Sequence, residues 1–153
     1  MLDGVFNHVA RTHPWVEQGL AGDTDWEGHG ELATLHHADP AVRDAVVEIM
    51  LHWLRRGIAG WRLDVAYAVP ADFWADVLAR VRSEFPDAMF LGEVIHGDYS
   101  SIGKAGSLDA VTQYELWKAT WSSLVDVNFW ELAHALERLS LIHISEPTRR
   151  TPI

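Results

Sequence analysis

Two stretches of the chain carry apolar residues at helical spacing and have recognisable start or stop signals. The first is 39–56, where Asp39 can accept the N-cap hydrogen bond, Pro40 fits the first turn and Gly57 favours a left-handed end. The second begins near Pro70 and has an equally regular apolar stripe. The pattern therefore predicts two amphipathic helices, each with one face in a core.

Short segments with the alternation of strands follow these helices. Residues 58–65 and 88–94 come directly after the first and second helix, and 108–114 comes after a glycine-rich stretch at 97–106 that we predict to be a loop. A last helix is predicted to begin at a cap residue, with three apolar residues on its inner face: Asn128, then Phe129, Leu132 and Leu136.

The order helix, strand, helix, strand, loop, strand, helix predicts an α/β fold with a parallel sheet. Asp64 and Glu93 end consecutive strands and are 29 residues apart, close to the roughly 30 residues of one βαβ unit. A closed (β/α)₈ barrel needs about 250 residues, and this chain has 153. From the pattern alone, the fold is either an open doubly wound sheet or part of a barrel.

The last residues depart from this pattern. The stretch 139–149 continues neither the strands nor the helices, and it resembles the translated reading frame of a transposon-type sequencing adapter. We therefore predict that 1–138 carries the fold and that 139–153 is a non-native tail.

Composition excludes several classes of function. With 12 basic and 22 acidic residues the net charge is −10, which argues against a nucleic-acid partner. No cysteine is present, so neither disulfides nor thiolate chemistry is expected. No apolar run reaches the roughly 20 residues of a membrane span, and no signal peptide follows Met1, which favours the cytoplasm.

Candidate chemistry lies at the ends of the two central strands. Arg62 shares a strand face with Asp64, so we expect it to keep that aspartate ionised. Glu93 has no adjacent cation, and apolar neighbours are expected to raise its pKa until it can act as an acid. In the plainer alternative, Asp64 caps the next helix and Glu93 is a solvated strand end.

Three segments in order decide between these interpretations. Residues 3–8 (DGVFNH), 60–64 (GWRLD) and 92–96 (GEVIH) together resemble conserved segments of the alpha-amylase family of glycoside hydrolases. The stretch 35–43 resembles that family's lead-in to a helix. The resemblance covers roughly 1–138 and implies a partial (β/α)₈ TIM barrel, formed by the central βα units of the catalytic domain.

The resemblance also implies roles for single residues. Asp64 corresponds to the nucleophile and Glu93 to the general acid/base, with carboxyl groups expected about 5–5.5 Å apart as in retaining enzymes. Arg62 would orient the nucleophile and contact the substrate. The family's third carboxylate, on a later strand, has no counterpart here, and we expect it to be missing by truncation together with the first strands.

Residues around this pair are expected to complete the site. His8 would bind the sugar, and Asn7 and Asp3 would have structural roles at the end of an earlier strand. Tyr67 and His96 are the candidates for the rim on the leaving-group side.

A metal is not expected. Asn7 is the one residue considered as a calcium ligand, since residues 65–68 lack the Lys-His that many starch-acting members have there. His29, His36 and His37 lack the spacing of a zinc site and are expected to be loop residues.

The function expected is that of a retaining enzyme that acts on an alpha-glucan or a small alpha-glucoside by double displacement. Hydrolysis, glucosyl transfer and isomerisation use the same two carboxylates and stay open. The alternative is a catalytically silent truncated chain or barrel-type interaction protein. The two tryptophans of the loop after the first strand, Trp15 and Trp26, are candidates for sugar stacking.

Overall fold

The computed structural model describes residues 1–144, without the side chains of residues 23, 24 and 139–144. The elements in chain order are β1 (Leu2–Gly4), β2 (His8–Ala10), α1 (Pro14–Glu17), β3 (Ala21–Trp26), β4 (His29–Leu35), α2 (Pro40–Leu54), β5 (Gly60–Leu63), α3 (Ala71–Glu84), β6 (Met89–Gly92), α4 (Tyr99–Ala105), β7 (Ala110–Val111), α5 (Tyr114–Val125) and α6 (Trp130–Ile144). No helix in this part of the chain is long and apolar enough to cross a membrane.

Four strands form the parallel sheet that the sequence predicts. Their order is β1-β5-β6-β7, and all three pairings are parallel, with Gly4 opposite Leu63 and Leu63 opposite Gly92. Helix α3 connects β5 to β6, and α4 lies between β6 and β7. Consecutive strand–helix units therefore lie side by side, as in the predicted α/β fold.

The hydrophobic core lies between this sheet and helices α2 and α3. Trp61, Leu63 and Phe90 of the strands are buried, and so are the apolar stripes of both helices. Because side chains alternate across a strand, Arg62 lies on the opposite face and is partly exposed. The core thus fixes the strands from one side, while the other side is free for polar groups.

Both long helices begin as predicted. The Asp39 side chain accepts a hydrogen bond from the Ala41 amide, and α2 starts at Pro40. Gly57 adopts a φ of +91° after the helix, a conformation that is strained for other residues. Helix α3 starts directly after Pro70. The local capping signals were therefore sufficient to locate these elements.

Three segments differ from the prediction. The expected loop 97–106 contains α4, which Asp98 caps through the Ser101 amide. The expected strand 108–114 is reduced to Ala110–Val111, because the chain turns into α5 at Tyr114. The region before α2 forms a second, antiparallel sheet, in the order β2-β4-β3. Glycine and short polar runs gave no periodic signal for any of these elements.

The prediction for the last helix is half right. Asn128 caps α6, since its Oδ1 accepts from the Trp130 amide at 3.2 Å. The predicted inner face is wrong, because Phe129 is 60% and Leu136 50% exposed, whereas Ala135 is buried. The backbone of α6 also continues to Ile144, through residues where we expected no regular element. The foreign origin of 139–153 stays a prediction, and 145–153 lies outside the described residues.

Gly60, at the start of β5, provides a test of this packing. A Cβ atom there would lie 2.0 Å from the Met89 carbonyl oxygen of the neighbouring strand. We expect Gly60→Ala to destabilise the chain by about 1–3 kcal/mol or more, as overpacking does. Gly30→Ala is the control, since nothing lies within 4 Å of its added Cβ. Equal unfolding midpoints in urea for the two variants would contradict this packing.

Candidate active site

The two predicted carboxylates lie side by side at one edge of the sheet. Asp64 follows β5 and Glu93 follows β6, and the strand residues before them are register partners. The Asp64 amide donates to the Gly4 carbonyl at 3.0 Å and the Glu93 amide to the Leu63 carbonyl at 2.8 Å. The ladder thus continues through both residues, and the predicted adjacency at the ends of neighbouring parallel strands is confirmed.

One guanidinium group joins carboxylates from three adjacent strands. Arg62 Nη1 donates to Asp64 Oδ1 at 3.1 Å and also to Asp3 of β1, and Nη2 lies 2.7 Å from Glu93 Oε1. The hydrogen bond that Arg62 donates to Asp3, together with the charges of the neighbouring carboxylates, raises the pKa of Arg62 further above its usual range, although burial opposes this. Arg62 therefore stays charged and contacts both Asp64 and Glu93. The predicted separation of about 5–5.5 Å stays a prediction.

Glu93 receives more hydrogen bonds than Asp64. Its Oε1 accepts from the Tyr114 hydroxyl at 2.8 Å as well as from Arg62, and its Oε2 accepts from the Val65 amide at 3.1 Å. Only 7% of Glu93 is exposed. Val65 has a φ of +42°, which is rare for a β-branched residue and marks strain directly after Asp64.

The pKa of each of the two carboxyl groups is shifted in the direction opposite to the one expected. Burial by itself would raise the pKa of Glu93, but the donors Tyr114 and Val65 and the charge of Arg62 together lower it below 4.5. Burial raises the pKa of Asp64 above 3.8, and the charge of Glu93 adds to this against the Arg62 hydrogen bond. The prediction of a raised pKa at Glu93 is therefore wrong for the site without substrate, and Asp64 is the carboxyl group whose pKa is raised.

Asn7 lies between β1 and β2, and His8 is the first residue of β2, shortly after the strand end where the sequence places both. Asn7 is 1% exposed, and its Nδ2 donates to His8 Nδ1 at 3.2 Å. The buried His37 fixes the same loop, since its Nε2 lies 2.9 Å from the Phe6 carbonyl oxygen. Burial lowers the pKa of His37 below 6.5, so the ring is neutral at pH 7. The His8 ring stacks on Trp26, with centroids 5.9 Å apart.

The rings of Tyr67 and His96 lie close to each other. Their ring centroids are 5.0 Å apart. Burial raises the pKa of Tyr67 above 10.0, and the charges of Glu93 and Asp64 contribute to this, so Tyr67 lies within electrostatic reach of the pair. The two predicted rim residues are thus close to each other, and Tyr67 is close to the carboxylates.

Among the side chains that the structure describes, no group of three or more His, Asp or Glu is placed to hold a metal ion. The histidines considered above are used differently: His36 Nδ1 lies 2.9 Å from the Gly19 carbonyl oxygen, and His37 contacts Phe6. The amide nitrogen of Asn7 is turned to His8. Trp15 packs against the core, whereas Trp26 lies beside His8.

Tyr114 is the site residue that the sequence analysis missed. The sequence predicts it at the end of the third strand, and in the structure it is the first residue of α5, after Thr112 and Gln113 that follow β7. The carboxyl ends of parallel strands meet at one edge of a sheet. A polar residue at the third consecutive strand end was therefore the available signal.

Comparison with known proteins agrees with this geometry. Residues 26–141 match the family described as alpha amylase, catalytic domain. The intracellular maltogenic amylase of Bacillus subtilis (strain 168) is 34% identical over 118 residues, which are 63% of this chain and 20% of that protein. A cyclomaltodextrinase of Bacillus sp. is 32% identical over 146 residues, which are 78% of this chain and 26% of that protein.

A solved relative has the same fold. The alpha-amylase of Geobacillus thermoleovorans, complexed with acarbose, superimposes with a TM-score of 0.75 at 27% identity, over 93% of this chain and 37% of that one. The chain therefore belongs to the alpha-amylase family, and its fold is part of a (β/α)₈ barrel, as predicted. It spans about a fifth to a quarter of the length of these curated relatives.

The opposite pKa directions of the two carboxyl groups predict opposite effects on acid stability. Glu93 stabilises the fold above its ordinary pKa of 4.5 and ceases to do so as the pH falls through its lowered value. Asp64 contributes stability below 3.8, which is lost as the pH rises through its raised value. We expect Glu93→Gln to lessen, and Asp64→Asn to steepen, the fall in melting temperature between about pH 7 and pH 3. Changes in the same direction for both variants would contradict the assignment.

Proposed function

We propose that this chain is the central part of a retaining glycoside hydrolase or glucosyltransferase that acts on alpha-glucosidic bonds. The observation that supports this most directly is the placement of Asp64 and Glu93 at the ends of adjacent parallel strands, where both contact the guanidinium group of Arg62. Two such carboxylates are what a double displacement at an anomeric carbon requires.

In the first step, Asp64 is the nucleophile and Glu93 the acid. An ionised Asp64 oxygen attacks the anomeric carbon, and the bond from that carbon to the glycosidic oxygen breaks. The leaving oxygen takes the proton of Glu93 and departs as an alcohol. The products of this step are a glycosyl ester on Asp64 and a Glu93 carboxylate.

In the second step, the same two residues exchange tasks. The Glu93 carboxylate removes a proton from water or from a sugar hydroxyl, whose oxygen attacks the anomeric carbon. The ester bond breaks, Asp64 is released as a carboxylate, and Glu93 again carries a proton. Two inversions at one carbon retain the anomeric configuration.

The first step needs a proton on Glu93, which the donors around this residue disfavour before sugar binds. Without substrate, the donors around Glu93 favour its ionised form, and Asp64 is the group with the raised pKa. The two groups titrate as a pair, and one proton can move between them. Positive charge that develops at the anomeric carbon beside Asp64 favours its ionised form, and a sugar that covers Glu93 desolvates it further. Both effects move the proton to Glu93, where the first step needs it.

The surrounding residues are proposed as sugar contacts. Arg62 contacts both carboxylates, and the ring of Tyr67 lies beside that of His96. Trp26 keeps the His8 ring in place from one face, and Asn7 and Asp3 hold His8 and Arg62. The intracellular maltogenic amylase and the cyclomaltodextrinase among the relatives are in keeping with an alpha-glucan or a small alpha-glucoside as substrate.

The test is made in the parent protein, extended to the length of its relatives. Asp64→Asn removes the nucleophile and is expected to reduce turnover below detection. Glu93→Gln removes the acid, so a substrate with a poor leaving group should lose about 10²–10⁴-fold in kcat. A glycosyl fluoride, whose leaving group needs no proton, should lose far less in the first step. Initial rates and proton NMR of the released anomer measure both expectations.

Glu84→Gln is the matched control, because Glu84 likewise pairs with an arginine, here by two hydrogen bonds from Arg55, but in an exposed pair. It should leave kcat unchanged. Near-normal activity of Asp64→Asn would show another chemistry, and an inactive unaltered parent would show a silent relative. Release of the inverted anomer would exclude the double displacement.

The 153-residue chain by itself is expected to show no turnover of maltose or starch. In residues 1–144, β1 and β7 are the open edges of the parallel sheet, and such edges favour association between chains. Assay of the purified chain beside the parent, under identical conditions, tests this. Comparable rates would contradict it.

A further inference from the structure

The hydrogen bond between Tyr114 and Glu93 joins an element of the outer layer to the proposed acid/base. Tyr114 is the first residue of α5, and its hydroxyl lies 2.8 Å from Glu93 Oε1. Two residues earlier, Thr112 Oγ1 donates to the Val94 carbonyl at 3.0 Å and accepts from the Val94 amide at 2.9 Å. The two backbones beside Tyr114 and Glu93 are therefore tied together, and the hydroxyl is held in place.

The other groups that face Glu93 explain why this one donor matters. They are Arg62 of β5, and Asp64 and the Val65 amide directly after that strand. Asp3 of β1 is linked to Glu93 through Arg62. Arg62 is shared among three carboxylates, and the Val65 amide is a neutral backbone donor. Tyr114 is the one described residue outside β5 and its following loop that donates to the Glu93 carboxylate.

A tyrosine hydroxyl at 2.8 Å from a carboxylate favours the ionised carboxylate over the protonated one. An ionised oxygen accepts from the hydroxyl without competition, whereas a protonated carboxyl is a weaker acceptor. The effect is reciprocal: the same contact raises the pKa of Tyr114 above 10.0, with the Glu93 hydrogen bond as its largest cause.

We propose that Tyr114 is a positioning residue that sets the protonation state of Glu93, and thereby the upper pH limit of the first chemical step. The proposal deepens the function proposed above and rests on it where activity is concerned. Its physical part, the coupling between one hydroxyl and one carboxyl group, does not depend on turnover.

The first experiment measures the carboxyl group directly. In the chain labelled with ¹³C at the glutamate side chains, the Glu93 resonance is assigned by its absence in Glu93→Gln and followed through an acid titration. Tyr114→Phe removes the hydroxyl and keeps the ring. We expect it to raise the apparent pKa of Glu93 by roughly one pH unit, since a hydrogen bond to a charged group is lost.

Tyr99→Phe is the matched control. Tyr99 lies on α4 and is buried, and its hydroxyl donates to the Ile95 carbonyl rather than to Glu93. Loss of the Tyr99 hydroxyl should leave the apparent pKa of Glu93 unchanged. Equal titration of Glu93 in both tyrosine variants and the unaltered chain would overturn the proposal.

A second measurement stays decisive if Tyr114→Phe does not fold. The three tyrosines of the chain, labelled in the ring, are titrated with and without Glu93→Gln, and Tyr114 is assigned by elimination with Tyr67→Phe and Tyr99→Phe. Removal of the Glu93 charge should lower the pKa of Tyr114 toward 10 and leave the pKa of Tyr99 unchanged. An unchanged Tyr114 titration would overturn the coupling.

The kinetic experiment separates this proposal from the proposed function. In the parent enzyme, the high-pH limb of kcat reports the acid of the first step in the complex with substrate, and Tyr114→Phe should move it to higher pH by roughly one unit. A purely structural role would instead lower kcat equally at all pH values and overturn the proposal. If the unaltered parent is inactive on alpha-glucosides while Glu93 still responds to Tyr114→Phe, the proposed function fails and the coupling stands.

Discussion

The site depends on one cation placed among three carboxylates. Asp3, Asp64 and Glu93 come from three adjacent strands, and parallel pairing brings their side chains to one edge of the sheet. Like charges at such distances repel strongly where solvent is partly excluded. Arg62 donates to all three, and its planar fork allows two directions of contact that a lysine cannot provide. The arginine thus makes the close approach of the two reactive groups compatible with a folded chain.

The donors around this cation are unevenly divided, and that division gives the two carboxylates different chemistry. Glu93 is more buried than Asp64, yet the Tyr114 hydroxyl and the Val65 amide make it the better stabilised anion. Among the described side chains, Arg62 is the one that donates to Asp64, and the pKa of Asp64 is raised. Burial by itself would predict the opposite order. The number of donors decides here, because each one acts on the charged form in a region of low dielectric constant.

The parts of the fold that the sequence predicted are those fixed by neighbouring residues. Asp39 and Pro40 start α2 by local capping, and the strand alternation places Asp64 and Glu93 at neighbouring ends. The directions of the two pKa shifts could not be predicted from the sequence, because the groups that donate to Glu93 lie 28 and 21 residues away along the chain. The wrong inner face of α6 has the same origin, because its partner, α5, was itself not predicted.

Burial also differs between the two halves of the described chain, and this bears on how firmly the site is held. The stripes of α2 and α3 are buried against the sheet, whereas α5 and α6 leave Trp117, Trp121 and Trp130 exposed. The α5–α6 pair has exposed polar contacts such as Lys118 with Glu131, and such ion pairs contribute at most about 1 kcal/mol. Tyr114 does not depend on them, since Thr112 fixes the chain before it to the backbone next to Glu93. The hydrogen bond to Glu93 is therefore anchored, at the first residue of α5, to the well-packed sheet through Thr112.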